Sequence, residues 1–327
     1  MEFSAVRKFR ASIRSSPGRH SAGDITRGKT ARNRLRSVDS FLLKYDSNLL
    51  ESDFDSGETP DYTALNSGLV NSGEVFSFER TNSFVVDLGF GQTPVTTLQT
   101  SRLFRNINPE LPFLGVEIDP QRVKEAMKFC DELTFFRLGG FDFPLFEQKS
   151  GDPGSGFRES VRLIRAMNVL RQYDEKDYKP AVSLMASRIV NGGLIIEGTS
   201  DPQGRLWTLN LFRRHGTSQA TLKWEAMVFG TNFRQPLQMQ DFRSVLPKML
   251  IHRVLPGQGI HHLFNDLTEA EKGVRGQLVW GPRQWFLSVA DKMGLEKRFA
   301  SRGFLLFRRN AIVKYGLISL MPDITVI

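Results

Sequence analysis

The chain has 327 residues and a mass of 37.1 kDa, room for one large domain or two smaller ones. A hydrophobic content of 40% excludes a disordered chain, and the single cysteine, Cys130, excludes an internal disulfide and fits a reducing compartment. No apolar run approaches the ~20 residues of a membrane-spanning helix, and the N-terminus lacks the apolar stretch of a secretory signal. A soluble cytoplasmic protein with no membrane partner is expected.

The net charge of +9 is unevenly placed: of 44 basic and 35 acidic residues, the first 37 positions hold ten and two, leaving 34 and 33 for the rest. The high isoelectric point therefore belongs to a tail. Residues 1–36 read as a flexible basic arm, by default a solvated extension. A charge run of this kind also suits contact with RNA through phosphates. Residues 1–23 are also Arg/Ser-rich and poor in acid, as transit peptides are.

A short helix is predicted from Ser37 to Leu50, because Val38, Phe41, Leu42, Tyr45 and Leu49 share one face. Glu51–Gly73 is acidic and rich in Ser, Gly and Asp, so residues 37–82 read as a helix and an acidic linker. A core is expected over 83–235. It opens with a buried-strand run, Ser83–Leu88, and a glycine turn, Gly89-Phe90-Gly91-Gln92. Thr93 can cap the next helix with Pro94 in its first position, and that helix should end by Pro109. A second strand, Phe113–Ile118, leads to Asp119 as N-cap and Pro120 as first helical residue. Val123, Ala126, Met127, Cys130 and Leu133 then form an apolar stripe that places Cys130 mid-helix. Strands near Thr134–Leu138, Val161–Arg165 and Leu194–Gly198 follow, with a helix over Glu175–Val190 before the last. The alternation is that of an α/β, Rossmann-like, doubly wound and mostly parallel sheet.

Arg205–Phe212 and Ala220–Phe229 read as an antiparallel hairpin. Only Thr199–Gly204 precedes it, too short for a parallel crossover, so either this strand runs antiparallel or the sixth strand lies further on. Residues 236–327 are expected to form a C-terminal helical extension that faces substrate. Its helices fall near Met239–Ile251, His261–Lys272 and Pro282–Met293, with strands at Phe304–Arg308 and Gly316–Met321.

The turn after the first strand carries the most chemistry. Glycines there let a ligand touch backbone. Pro94 replaces the third glycine of a dinucleotide fingerprint, and no Gly-Lys-Ser/Thr closes a P-loop. Asp87, two residues before Gly89, sets a negative charge where a pyrophosphate would lie and suits a ligand bearing an ammonium and a sulfonium. Together they favour S-adenosylmethionine over NAD. Glu117, ending the second strand, can accept hydrogen bonds from both ribose hydroxyls, whereas Asp119 fits the role of a helix cap.

Val86–Gly91, Gly115–Pro120 and Gly193–Thr199 resemble motifs I, II and the fifth-strand region of class I S-adenosylmethionine-dependent methyltransferases, over about Ser83 to Thr199. The resemblance implies that Asp87, Gly89, Phe90 and Gly91 line the methionine and ribose end, and that Glu117 and Ile118 hold the ribose. Gly139–Pro144 resembles the third motif, beside the adenine, which implies contacts from Phe141 and Asp142. Gly140 stands where that family often has an acid. Arg27–Arg36 and Arg165–Arg171 are similar to an uncharacterised bacterial branch, which brings no substrate with it.

Transfer of an activated methyl needs positioning more than a base. Asn168, after the fourth strand, is the candidate for orienting an acceptor, with a loop hydrogen bond as its plain alternative. The His252, His261 and His262 group lacks supporting cysteines or carboxylates, so no metal is expected. Trp280 and Trp285 are expected in the core rather than in a pocket wall. The competing readings are a non-catalytic binding or assembly protein with this fold and an NAD-type oxidoreductase. RNA and a small molecule stand as the two acceptor classes.

Overall fold

The computed structural model describes residues 31–51, 83–148, 157–216 and 220–326. Most of the basic arm and the linker from 52 to 82 lie outside them.

Helix α1 spans Arg36–Tyr45 and buries Val38, Phe41 and Leu42. It stops short of the predicted Leu50, and a separate 3-10 turn, Asn48–Leu50, buries Leu49 and Leu50. Strand β1, Phe84–Leu88, is followed by α2, Val95–Phe104, in which Pro94 occupies the N-cap position instead of the first helical one. β2, Phe113–Glu117, leads to α3, Pro120–Ala126, capped as expected by the Asp119 side chain accepting from the amides of Gln121 and Arg122. β3 is Thr134–Leu138, β4 Val161–Met167, α4 Glu175–Ala186 and β5 Leu194–Ser200. β6, Leu206–His215, and β7, Thr221–Thr231, form the hairpin.

These strands and β8, Phe304–Arg308, lie in one sheet with the order β8-β7-β6-β5-β4-β1-β2-β3. Pairing is parallel from β3 to β5 and antiparallel from β5 to β8. The expected α/β, doubly wound architecture is borne out, and the short β5–β6 connection forces the antiparallel alternative. That connection turns at Gly204 (φ +66°), where a Cβ would meet the Arg34 carbonyl oxygen at 1.8 Å, so only glycine fits.

Side chains alternate between two cores. Phe84, Val86 and Leu88 join one, with α4 and the C-terminal helices α5, Gly259–Gly273, and α6, Pro282–Lys292. Val85 points to the other, with α1 and Phe104 of α2. Residues beyond 236 thus share both sheet and core with those before them. Their detail departs from expectation at three places. Pro247 divides Met239–Ile251 into a 3-10 segment and one α-turn. Gly316 adopts the left-handed conformation and starts a 3-10 turn, Leu317–Leu320, where a strand was predicted. The terminal pairing is made instead by Ile324–Thr325 against β7. No described helix is long and apolar enough to cross a membrane.

Candidate functional site

In an open α/β sheet, ligands bind beyond the strand C-termini where the order reverses. Here that point lies between β1 and β4, and a pocket open to solvent lies beside it. Most of the wall comes from strand ends: Leu88, Gly89 and Gly91 at and after β1, Glu117 and Ile118 at β2, Gly139 to Phe141 after β3, and Val169, Gln172 and Tyr173 after β4; Arg122 of α3 completes it.

Gly89 and Gly91 both have positive φ, +71° and +84°. A Cβ on Gly89 would also stand 2.7 Å from Val169 Cγ2. The turn therefore needs glycine for its backbone and for its packing. Glu117 is 5% exposed. Its Oε2 accepts from the Gly91 amide at 3.0 Å and its Oε1 from the Ile118 amide at 2.9 Å. The Arg122 guanidinium lies 3.6 Å from Oε2. The glycine turn and the carboxylate of the next strand thus face one cavity and touch each other.

The remaining predicted residues divide. Asp87 is 4% exposed and its charge already has partners. Thr96 and Thr97 donate to Oδ2 at 3.0 and 2.7 Å, and Arg165 Nε donates to Oδ1 at 3.2 Å. Arg165 in turn bonds Asp39 of α1 at 2.5 Å. The negative charge expected at the turn thus sits in a buried network in which one cation, Arg165, is shared by Asp87 and Asp39. The Phe90 ring packs on Phe136 at 5.4 Å, in a small core with Val123 and Ala126, so it offers the cavity no aromatic face. Phe141 lines the cavity and packs on Tyr173 at 5.1 Å. Asp142 does not line it; its carbonyl oxygen accepts from Arg188.

Asn168 takes the left-handed conformation (φ +63°). Its Oδ1 accepts from the Ser200 amide at 2.9 Å and its Nδ2 donates to Ser200 Oγ at 3.1 Å. The side chain clips the end of β4 to that of β5, the plain loop role. It also borders a second hollow, which adjoins the cavity through Gly89, Gly91 and Gln172 and is bounded by Arg34. Arg34 was assigned to the arm, yet its guanidinium donates to Ser200 O and Oγ and to Asp201 O, and the neighbouring Leu35 is buried.

Sequence reasoning missed Arg122, Val169, Gln172 and Tyr173. The strand-end rule that selected Glu117 would have found the last three had it been applied after β4. Cys130 follows a 3-10 turn in extended backbone and is not mid-helix. Trp285 is buried as expected, whereas Trp280 is 75% exposed, a correction. Among the described residues, no group of three or more His, Cys, Asp or Glu could hold a metal ion.

No family model matches the chain, and no curated protein sequence matches it either. Solved structures do. The StiE O-MT segment is 16% identical over 36% of this chain and 37% of its own, with a TM-score of 0.25. The plantazolicin methyltransferase BamL, solved with a desmethyl analogue and SAH, is 16% identical over 62% of this chain and 53% of its own, with a TM-score of 0.31. The N-methyltransferase NodS from Bradyrhizobium japonicum is 15% identical over 36% of this chain and 58% of its own, with a TM-score of 0.24. The chain spans less than two thirds of each of these proteins.

Proposed function

We propose that the protein is an S-adenosylmethionine-dependent methyltransferase whose cofactor lies in the cavity at the ends of β1 to β4. The observation that carries this reading is the convergence of the Gly89–Gly91 turn and Glu117 on one cavity. A nearly buried carboxylate at the end of β2 is suited to accept from two vicinal hydroxyls, as a ribose presents them. The glycine turn lets a nucleoside approach backbone, and Phe141 with Tyr173 gives an aromatic wall on the β3 and β4 side. The incomplete dinucleotide fingerprint, with Pro94 ahead of α2, still argues against a pyrophosphate cradle.

When bound, S-adenosylmethionine supplies a methyl group already activated on a sulfonium. The chain's own contribution is then binding, orientation and exclusion of water. Glu117, held by the Gly91 and Ile118 amides, fixes the sugar. The left-handed glycines bring backbone against the ligand without a Cβ. Asp87 acts through the turn: bonded to Thr96, Thr97 and Arg165, it ties the end of β1 to the first turns of α2.

Calorimetry with S-adenosylmethionine and with NAD tests the reading. S-adenosylmethionine should bind, and Glu117→Ala should weaken it by about 1–3 kcal/mol, the range for a lost charged hydrogen bond. Binding of NAD without S-adenosylmethionine would overturn the cofactor, and unchanged affinity in the variant would remove Glu117 from the site. Labelled-methyl transfer to fractionated cell extract separates an enzyme from a non-catalytic binder.

A further inference from the structure

We propose that the rim running from the hollow beside the cofactor cavity to Trp280 is a docking track for single-stranded nucleic acid. On the reading proposed above, it is the surface along which the methyl acceptor reaches the cofactor.

The track is continuous in contacts. Its first piece is Arg34, on Ser200 and Asp201. The β5–β6 turn packs on the Arg34 backbone at Gly204 and on the loop after β7, where Asn232 bonds the Arg205 carbonyl and Arg205 bonds Gln235. The same loop meets Gly303, before β8, through the Thr231 amide and the Phe233 ring. Arg283, at the start of α6, lies over the Phe233 ring at 4.8 Å and reaches the Ser301 carbonyl. Three residues before it stands Trp280, 75% exposed, beside Val279, 79% exposed.

The strand directions put the strand-end pieces at the end of the sheet that carries the cavity, and Arg283 joins them through Phe233. β5 ends there, β6 and β8 begin there and β7 ends there. Along this stretch stand Arg205, Arg234, Arg283 and Arg302, the last three exposed, against a single carboxylate, Asp201. That concentration is not inherited from the chain as a whole, since positions 38–327 are nearly charge-balanced. The strongly basic residues 1–30 join the protein at Ala31, beside Arg34 on the same rim.

Arginines spaced along a rim with an exposed aromatic face at its end fit a phosphate backbone and a stacked base. The exposed indole of Trp280 supplies a face, while Phe233, packed on Phe286, holds Arg283 in place. Leu278, Val279 and Trp280 are exposed in succession, a contiguous apolar patch of the kind that marks an interaction site, and the nearby arginines favour an anionic partner.

The test is fluorescence anisotropy of the full chain with a labelled ~20-nucleotide single-stranded RNA over a range of salt. Wild type should bind with an affinity that falls steeply with salt. Arg205→Ala, Arg234→Ala and Arg302→Ala together should weaken binding at least ~10-fold and flatten the log–log salt slope by about 2, at ~0.7 per single-strand phosphate. Trp280→Ala should weaken binding ~5-fold or more, with little change in the slope. Cooperative melting at the wild-type temperature checks that the variants fold.

Wild-type affinity in the triple arginine variant would mean that the arm alone holds the strand, and would overturn the track. So would binding to anionic phosphatidylglycerol vesicles with none to the oligonucleotide. Calorimetry with S-adenosylmethionine on the same preparations keeps the two readings apart. A wild-type chain that binds S-adenosylmethionine but no oligonucleotide removes the track alone, and one that binds the oligonucleotide but not S-adenosylmethionine removes the methyltransferase alone.

Discussion

The sheet buries charge on both of its faces, and the two burials are solved differently. On the α1 face, Asp87 of β1 and Asp39 of α1 share Arg165 of β4, with Thr96, Thr97 and Thr100 completing the bonds. On the α4 face, Glu197 of β5 is fully buried with no cation bonded to it. Tyr178 donates to its Oε2 at 2.8 Å and Asn210 at 3.1 Å, while Oε1 has no partner. Burial pushes Glu197 up to about 7 although both hydrogen bonds act against it. Burial also works against the Arg165 charge, but Asp87 and Asp39 more than offset it and hold its pKa above the ordinary value. Burial pushes Asp39 upward as well, with the Arg165 charge and the Thr100 bond pulling against it, so the two faces differ in what opposes burial: a cation on one, only neutral donors on the other.

The first way to break this contrast is to remove the cation. Arg165→Met leaves two buried carboxylates facing an apolar side chain. It should cost about 3–5 kcal/mol in urea unfolding at neutral pH. The loss should shrink toward pH 4, because unpaired buried carboxyls titrate high and regain stability on protonation. A loss below about 1 kcal/mol, flat with pH, would mean that the network is not a charge pair in substance.

Glu197→Gln tests the other face. A folded pKa near 7 against an ordinary 4.5 means that the folded protein holds the extra proton between those values. The contribution is complete below about 4.5 and is lost as pH rises through 7. Glutamine keeps the shape and cannot ionise. The variant should match wild type near pH 4 and gain on it with rising pH, reaching about 3 kcal/mol by pH 8. Protonation also turns Oε1 into a donor, and Asn210, its register partner across β5 and β6, has an unpartnered Oδ1 to receive it. Equal pH profiles for the two proteins would count against this account.

The same contrast explains what could be read in advance. The Gly89–Gly91 turn, Glu117, and the Asp119-Pro120 start of α3 depend on residues within one strand–turn–helix unit, so local spacing carries them. Asp87 was placed at the correct strand end, but its fate depends on Arg165, 78 positions away in sequence. No local pattern announces such a partner. In the C-terminal third, two helices and the strand Phe304–Arg308 fall where expected, and the last predicted strand does not. Gly316–Met321 is an apolar run, yet its glycine takes a left-handed turn and the pairing with β7 falls to Ile324–Thr325. Arg34 looked like one more charge in a basic arm because its acceptors, Ser200 and Asp201, lie 166 and 167 positions on.

The smallest predicted change sharpens the contrast most. Tyr178→Phe removes one neutral donor from Glu197 and leaves burial intact. The bond itself is worth about 1 kcal/mol, so a melting curve at a single pH says little. The bond, however, favours the ionised form of Glu197. Its loss should move the Glu197 midpoint upward, and the destabilisation should be greater at pH 8 than at pH 5. The carboxylic C=O stretch of Glu197, followed by infrared difference spectroscopy against Glu197→Gln, reads that midpoint directly. A downward move would show that Tyr178 favours the neutral acid, and hydrogen bonding could no longer be treated as the weaker substitute for Arg165.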